Sequence, residues 1–380
     1  MLKNRYILED PSQIRTPELL FYPDLIEDNL QKAIGIAGGP GRLWPHVKSH
    51  KMEEMVRLSQ ARGIARFKCA TLAELAMVIR CRVEDALLAY PLTGPDIPDF
   101  LELVKRAEKT RVWALGDDYE TLRLLSEAAV QTGLRIPLLL DVNLGMNRTG
   151  VLLEDAGLLY RSLDPLAGLD LGGLHCYDGH VRDGDREIRL ARVSRTNDEI
   201  RQLKEELEAE GMDCGTVIAG GSPTFACHAE TSDFYLSPGT LFLHDYGYWR
   251  DFPDLPFLPA ACLLTRVVSH PAPGIFTLDL GSKAIASDPE GVRGLVLGLE
   301  GQAEPLFQSE EHWVFRMTAG EEKKRPAIGS VQYVIPTHIC PTTALYPAVL
   351  AVQEGRITGS WPVTARNRAL SFDLEEVGCK

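Results

Sequence analysis

No apolar run in this chain of 380 residues approaches the roughly 18–20 residues that a helical membrane span needs, so a membrane protein of that kind is not expected. The first residues, Met1-Leu-Lys-Asn-Arg-Tyr6, carry positive charge with no apolar stretch behind it. A secretory signal is therefore not expected, and a soluble cytoplasmic protein is. A basic excess is missing too: 40 Lys and Arg face 53 Asp and Glu, a formal charge of −13. That balance argues against nucleic acid or an anionic membrane as partner. Paired cysteines are absent as well. Cys69, Cys81, Cys176, Cys214, Cys227, Cys262, Cys340 and Cys379 are scattered, with no C-x-x-C. This is neither a disulfide framework nor a zinc knuckle, and most of them read as small core residues. Only Cys340 has a neighbourhood that suggests otherwise. There is no internal repeat and no low-complexity segment. What remains, 45% hydrophobic and 24% charged residues, is globular, and the length suggests about two domains.

From Leu43 onward the pattern alternates between strand and helix. Strands are expected at Leu43–Val47, Arg66–Ala70, Asp85–Tyr90, Arg111–Leu115, Pro137–Val142, Leu171–Cys176, Thr216–Ala219 and Tyr235–Leu243. Helical spacing appears between most of them, at Met52–Ala61, Leu72–Cys81, Ile97–Glu108, Tyr119–Thr132, Leu152–Leu163 and Arg186–Glu210. Thr224–Asp233 is too short to assign. Eight strands with helical crossovers match a (β/α)8 barrel. An open doubly wound sheet shares the local signature, but no G-x-G-x-x-G follows the first strand, which favours the barrel. After about Trp249 the texture changes to short β-branched runs separated by Pro and Gly, at Cys262–Val268, Ile275–Asp279, Leu295–Leu299, Trp313–Met317, Val331–Ile335 and Ala348–Val352. The expected architecture is thus α/β: a TIM-type (β/α)8 barrel over residues 19–248, then a smaller all-β domain over 249–380. Leu19–Tyr22 would be a ninth barrel strand, so the N-terminal arm, residues 1–18, is assigned to the second domain.

Chemistry concentrates where barrel strands would end. Trp44-Pro-His-Val-Lys-Ser-His-Lys51 puts Lys48 in a strand-to-helix turn, with His46 and His50 at period-two spacing. A lysine there is an amine nucleophile once burial or neighbouring cations lower its pKa; an exposed lysine between loop histidines has the same spacing. Asp141-Val-Asn-Leu-Gly-Met-Asn-Arg-Thr-Gly150 brackets Arg148 with two glycines, and His175-Cys-Tyr-Asp-Gly-His180 offers Tyr177 and two imidazoles, His175 and His180. Gly220, Gly221 and Ser222 open a turn after the seventh strand, where barrel enzymes commonly hold a phosphate. A nucleophilic lysine and a phosphate cradle on one face suit pyridoxal phosphate held as a Schiff base, and equally a sugar-phosphate aldolase. Arg148 is available to face a pyridine nitrogen. In the second domain, Pro336-Thr-His-Ile-Cys-Pro341 places His338 and Cys340 on one side if the segment is extended. An imidazole and a thiolate are good ligands for zinc or a similar divalent ion, with water or substrate completing the set. Asp279-Leu-Gly-Ser-Lys283 and Ser287-Asp288 form a further polar turn, structural or at the rim of the site.

His46-Val-Lys-Ser-His-Lys51, the Gly-Met-Asn-Arg-Thr-Gly turn and the late His-Ile-Cys-Pro together resemble the D-threonine aldolase and D-serine dehydratase family. The resemblance covers nearly the whole chain, with the motifs in family order. It implies the alanine racemase fold, with Lys48 carrying pyridoxal 5'-phosphate and Arg148 facing the ring nitrogen. It further implies that His46 and Tyr177 line the cofactor and that Gly220, Gly221 and Ser222 hold its phosphate. His338 and Cys340 would hold a divalent metal (Zn, Mn or Mg), and a homodimer is expected. An always-protonated arginine at the ring nitrogen weakens the electron sink, which favours a mechanism where a metal or base shares the work. Two departures flank the lysine: Trp44 stands where the family commonly has arginine, and Ser49 where threonine is usual. The pair His-x-Cys is similar to the dehydratases, where the aldolases resemble His-x-Asp; the rest of the chain looks closer to the aldolases.

The resemblance therefore implies a lyase acting on D-β-hydroxy-α-amino acids. Aldol cleavage to glycine and an aldehyde, with His180 as base, is the leading expectation. Elimination to a 2-oxo acid and ammonia, with Lys48 removing the α-proton, is the alternative. A racemase would leave a metal superfluous. A non-catalytic pyridoxal-phosphate binding protein would not need the second domain.

Overall fold

The computed structural model describes residues 3–370 and 372; Cys379 and the end of the expected second domain lie outside the described residues. The chain divides into two compact units. One comprises residues up to 32, 49–52 and 240–366; the other comprises 33–48, 53–239 and the described residues from 367 on.

The second of these units is a curled parallel sheet wrapped by helices. Its strands run in chain order: Arg66–Cys69, Asp85–Leu88, Arg111–Gly116, Ile136–Asn143, Leu169–Cys176, Thr216–Ala219 and Tyr235–Leu236, with the two-residue strand Val151–Leu152 beside Ile136–Asn143. Every pairing is parallel. The expected first strand, Leu43–Val47, is not a regular strand. Residues 43–46 instead fill the gap between the last strand and the first through single bridges, Leu43 to Leu236 and His46 to Lys68. The reason is Pro45, which has no N–H to donate. Trp44 and His46 donate to the carbonyls of Leu236 and Pro238, while the Pro45 carbonyl accepts from Lys68. The barrel therefore closes through one stave of bare hydrogen bonds. The expected last strand, Tyr235–Leu243, stops at Leu236 for a similar reason, since Pro238 and Gly239 follow.

Crossover helices begin where capping residues dictate. Thr71 accepts from the N–H of Glu74, and Glu74 reaches back to the N–H of Ala70, a reciprocal capping box at the start of Leu72–Arg80. Asp118 and Asp185 cap Tyr119–Gln131 and Arg186–Ala209 by accepting backbone N–H groups, of Thr121 in the first and of Glu187 and Ile188 in the second. The unassigned stretch after Thr224 is the short helix Phe225–Thr231. Inside the barrel, Trp44 packs with Leu87, Trp113, Leu115, Leu139 and Ile218.

The other unit is built on a nine-stranded sheet. Glu18–Phe21 pairs antiparallel with Ala261–Ser269 and parallel with Ala348–Gln353, so this early strand belongs to the β-structure. All six expected strands recur, at Ala261–Ser269, Ile275–Leu278, Gly294–Val296, Trp313–Met317, Val331–Pro336 and Ala348–Gln353. Ala303–Gln308 and Arg356–Pro362 were not expected: both are largely exposed hairpin partners without an apolar run.

Candidate active site

In the barrel unit, functional groups gather where the parallel strands end, the face that carries chemistry in such barrels. Lys48 lies in the 3-10 turn Val47–Ser49. Its Nζ sits 5.7 Å from the centroid of the Tyr177 ring. The Arg148 guanidinium carbon is 4.8 Å from the same centroid, so lysine, tyrosine and arginine meet as the sequence suggests. His46 is buried, and its Nδ1 accepts the backbone N–H of Lys48 at 3.3 Å, which fixes the turn. A Cβ on Gly239 would lie 4.0 Å from Lys48 Cε, so this glycine borders the lysine.

A second lysine joins them. Lys68, in the strand Arg66–Cys69, is buried, with Nζ 5.5 Å from the Tyr177 centroid. That Nζ lies 3.2 Å from His175 Nε2, and His175 Nδ1 lies 2.7 Å from Asp141 Oδ1. The other Asp141 oxygen accepts from Thr149 Oγ1 at 2.7 Å, beside Arg148. Burial, and then the nearby Lys48 charge, pull the Lys68 ammonium down to about 7. Burial and the Lys68 charge likewise lower His175. Burial works to raise Asp141, but its hydrogen bond and charge interaction with His175 hold it below the usual carboxylate range. Sequence reading missed Lys68, although a charged residue in the third position of a barrel strand was a visible signal.

The glycine loop after Thr216–Ala219 is shaped by close approach. Gly220 has φ +82°, and a Cβ there would lie 2.7 Å from His228 Cδ2; one on Gly221 would lie 3.1 Å from Tyr177 Cε2. Neither glycine donates outward: Gly220 N–H goes to the Cys176 carbonyl and Gly221 N–H to Thr224 Oγ1. The loop rests on a buried network that sequence reading did not assemble. Asp178 accepts from Thr224 Oγ1 at 2.7 Å and pairs with His228 Nε2 at 2.9 Å, while His228 Nδ1 meets Asn197 Oδ1 at 2.9 Å. Burial would raise the Asp178 carboxyl, but the facing His228 and its hydrogen bonds keep it low. His180 packs against the arginine turn, where a Cβ on Gly145 would lie 3.3 Å from its Nε2. Its Nδ1 is buried with no hydrogen-bond partner among the described residues. A tyrosine ring shared by Lys48, Arg148 and Gly221, and an imidazole nitrogen without a partner among the described residues, fit a compact anionic cofactor that bonds to an amine.

The other unit contains the His338–Cys340 pair. The segment is not extended. His338 stands at the N-cap position of the helix Ile339–Ala344 without a side-chain cap bond; Cys340 lies in the first turn, and Asp245 Oδ2 accepts the Ile339 N–H at 3.1 Å. The two side chains still meet. Burial works against the charged His338 ring, yet hydrogen bonds with Cys340 and Asp288 push it up to about 9. His338 Nδ1 lies 2.5 Å from Asp288 Oδ2, and Cys340 Sγ lies 3.3 Å from Thr240 Oγ1. Among the described residues no three His, Cys, Asp or Glu side chains form a ready metal cage. The pair fits a metal as two ligands, with Asp288 orienting the imidazole from behind as carboxylates commonly do. Asp279, by contrast, accepts from Thr16, Thr265 and the Arg266 backbone, a structural role.

Among the described residues no helix is long and apolar enough to cross a membrane. The family model for the alanine racemase N-terminal domain matches residues 23–246, and that for a serine dehydratase domain matches 260–352. D-threonine aldolase of Arthrobacter sp. is 28% identical over 367 residues, covering 94% of this chain and 94% of its own. The 3-hydroxy-D-aspartate aldolase of Paracoccus denitrificans (strain Pd 1222) is 26% identical over 373 residues, 94% of each chain. The crystal structure of D-threonine aldolase from Filomicrobium marinum matches with a TM-score of 0.84 at 28% identity, over 93% of this chain and 96% of that one. Barrel, appended β-structure and family match agree: the chain has the alanine racemase fold and belongs to the alanine racemase N-terminal domain family.

Proposed function

We propose that this protein is a pyridoxal-phosphate and divalent-metal dependent lyase that cleaves D-β-hydroxy-α-amino acids to glycine and an aldehyde. The carrying observation is Lys48, Arg148 and Tyr177 meeting within 5.7 Å beside a glycine loop with no room for side chains. The relatives named as aldolases on D-configured hydroxy amino acids support the substrate class. Elimination to a 2-oxo acid and ammonia is the second reading, supported by the serine dehydratase domain match and by Cys340 in the metal pair.

Lys48 would carry the cofactor covalently, Arg148 would face its ring nitrogen, His46 and Tyr177 would line it, and Gly220, Gly221 and Ser222 would seat its phosphate. His338 and Cys340 would hold the metal. When bound, the cofactor withdraws electrons from Cα and the metal activates the β-hydroxyl. His180 would take the β-hydroxyl proton in cleavage, its buried and unpartnered Nδ1 leaving the ring unanchored at that atom. Lys48 would take the α-proton in elimination. A cytoplasmic homodimer is part of the proposal.

Incubation of the protein with D-threonine, pyridoxal phosphate and Mn²⁺ decides between the readings. Glycine with acetaldehyde is the expected result. 2-Oxobutanoate with ammonia would establish elimination, and unchanged D-threonine would overturn both.

A further inference from the structure

Lys68 has no place in the mechanism above, yet it is 2% exposed and lies against the same tyrosine ring as Lys48 and Arg148. A buried ammonium is expensive unless a carboxylate meets it directly. Here the direct contact is an imidazole. An ammonium only donates, so His175 accepts at Nε2 and carries its proton on Nδ1, where it donates to Asp141. The carboxylate charge thus reaches Lys68 through a neutral ring. That ring also holds Nζ in one place, because Asp141 is itself anchored by Thr149.

The groups facing Lys68 include two further cations, Lys48 and Arg148, against the carboxylates of Asp141 and Asp178. Asp178 is already engaged by His228 and Thr224, and Asp141 by His175 and Thr149. Three basic side chains thus share one ring while the nearby carboxylates are engaged by other partners. A purely structural lysine would have no need of this arrangement; an anion arriving among the three satisfies it.

We propose that Lys68, oriented by His175 and Asp141, binds an anionic oxygen of the ligand carried at Lys48. The chemistry is one oxyanion beside an amine, and two sources present it: the ring phenolate of the cofactor and the α-carboxylate of the amino acid. The proposal rests on the pyridoxal-phosphate reading of Lys48. Lys68 is a binding residue here, and His175 and Asp141 are positioning residues.

The test uses binding alone. Wild type, Lys68→Met and Asp141→Asn are titrated with pyridoxal phosphate and with its 3-deoxy analogue, by absorbance and equilibrium dialysis. D-alanine, which has no β-hydroxyl to lose, is then added to the loaded proteins. A charge-assisted hydrogen bond is worth about tenfold or more in affinity. If the phenolate is the source, wild type prefers pyridoxal phosphate over the analogue by about tenfold, and Lys68→Met loses that preference. If the carboxylate is the source, Lys68→Met takes the cofactor normally and needs about tenfold more D-alanine to saturate. In either case Asp141→Asn shifts the same constant in the same direction by less. Lys68→Gln, which can still donate to His175, replaces the Met variant should that one not fold. Wild-type constants in both titrations for a neutral residue at 68 overturn the proposal while Lys48 still binds cofactor. A wild type that takes up no pyridoxal phosphate overturns the reading of Lys48 and this proposal with it.

Discussion

Replacing Trp44 with arginine should destabilise this barrel more than replacing it with phenylalanine. Trp44 is 1% exposed in the stave that closes the barrel. Its Nε1–H donates to the Phe67 carbonyl at 2.8 Å. Its ring stands edge-on to Trp113 at 6.0 Å and to Tyr235 at 5.6 Å. Phenylalanine would remove the hydrogen bond, about 1 kcal/mol, and open a void of roughly 40 Å3, about another 1 kcal/mol. Arginine would place a guanidinium where both neighbouring rings already carry one, Arg111 over Trp113 at 4.2 Å and Arg66 over Tyr235 at 5.5 Å. A buried charge without a partner costs about 3–5 kcal/mol. In thermal melts followed by circular dichroism, the barrel transition should fall by about 4–8 °C for Trp44→Phe and clearly further for Trp44→Arg. An arginine variant as stable as wild type would refute the argument that this pocket is built for an apolar ring.

Three other substitutions have definite outcomes. Gly220→Ala forces a side chain onto a residue at φ +82° and within 2.7 Å of His228, so it should cost about 1–3 kcal/mol and weaken phosphate-dependent cofactor uptake; unchanged dialysis constants would contradict the cradle. His244 is buried with neither ring nitrogen hydrogen-bonded among the described residues, and burial pulls it down to about 4. The unfolded chain binds its proton near 6.5 and the folded chain does not, so stability should fall as pH drops from 6.5 to 4, by up to about 3 kcal/mol from this group. His244→Leu should flatten that slope in urea titrations, and an unaltered slope would discount the residue. His338→Ala should abolish metal-stimulated turnover while the cofactor band persists; full activity in the presence of a chelator would remove the metal from the account.

Much of the site was legible because its residues stand in short contiguous motifs. Arg148 and Tyr177 each follow a recognisable strand and Lys48 follows the closing stave, and the barrel's parallel order brings strand ends together whatever the side chains are. The closing stave was harder, because Leu43–Val47 has the composition of a strand while Pro45 denies it the ladder. Lys68, His175 and Asp141 come from three strands, and Asp178, Asn197 and His228 from a loop and two helices. Partners far apart in sequence have no local spacing to betray them. The same holds for Asp288 and His338, fifty positions apart. In the H-x-C motif the two side chains do meet, but through a helix start and not the extended geometry that period-two spacing suggests.

The central claim is that Lys48, rather than its buried neighbour Lys68, forms the bond to pyridoxal phosphate. Borohydride reduction of the loaded protein, followed by digestion and mass mapping, reads this directly. The pyridoxyl group should be found on Lys48, and Lys48→Ala should carry none. A label on Lys68, or a loaded protein with no labelled lysine, would contradict the account.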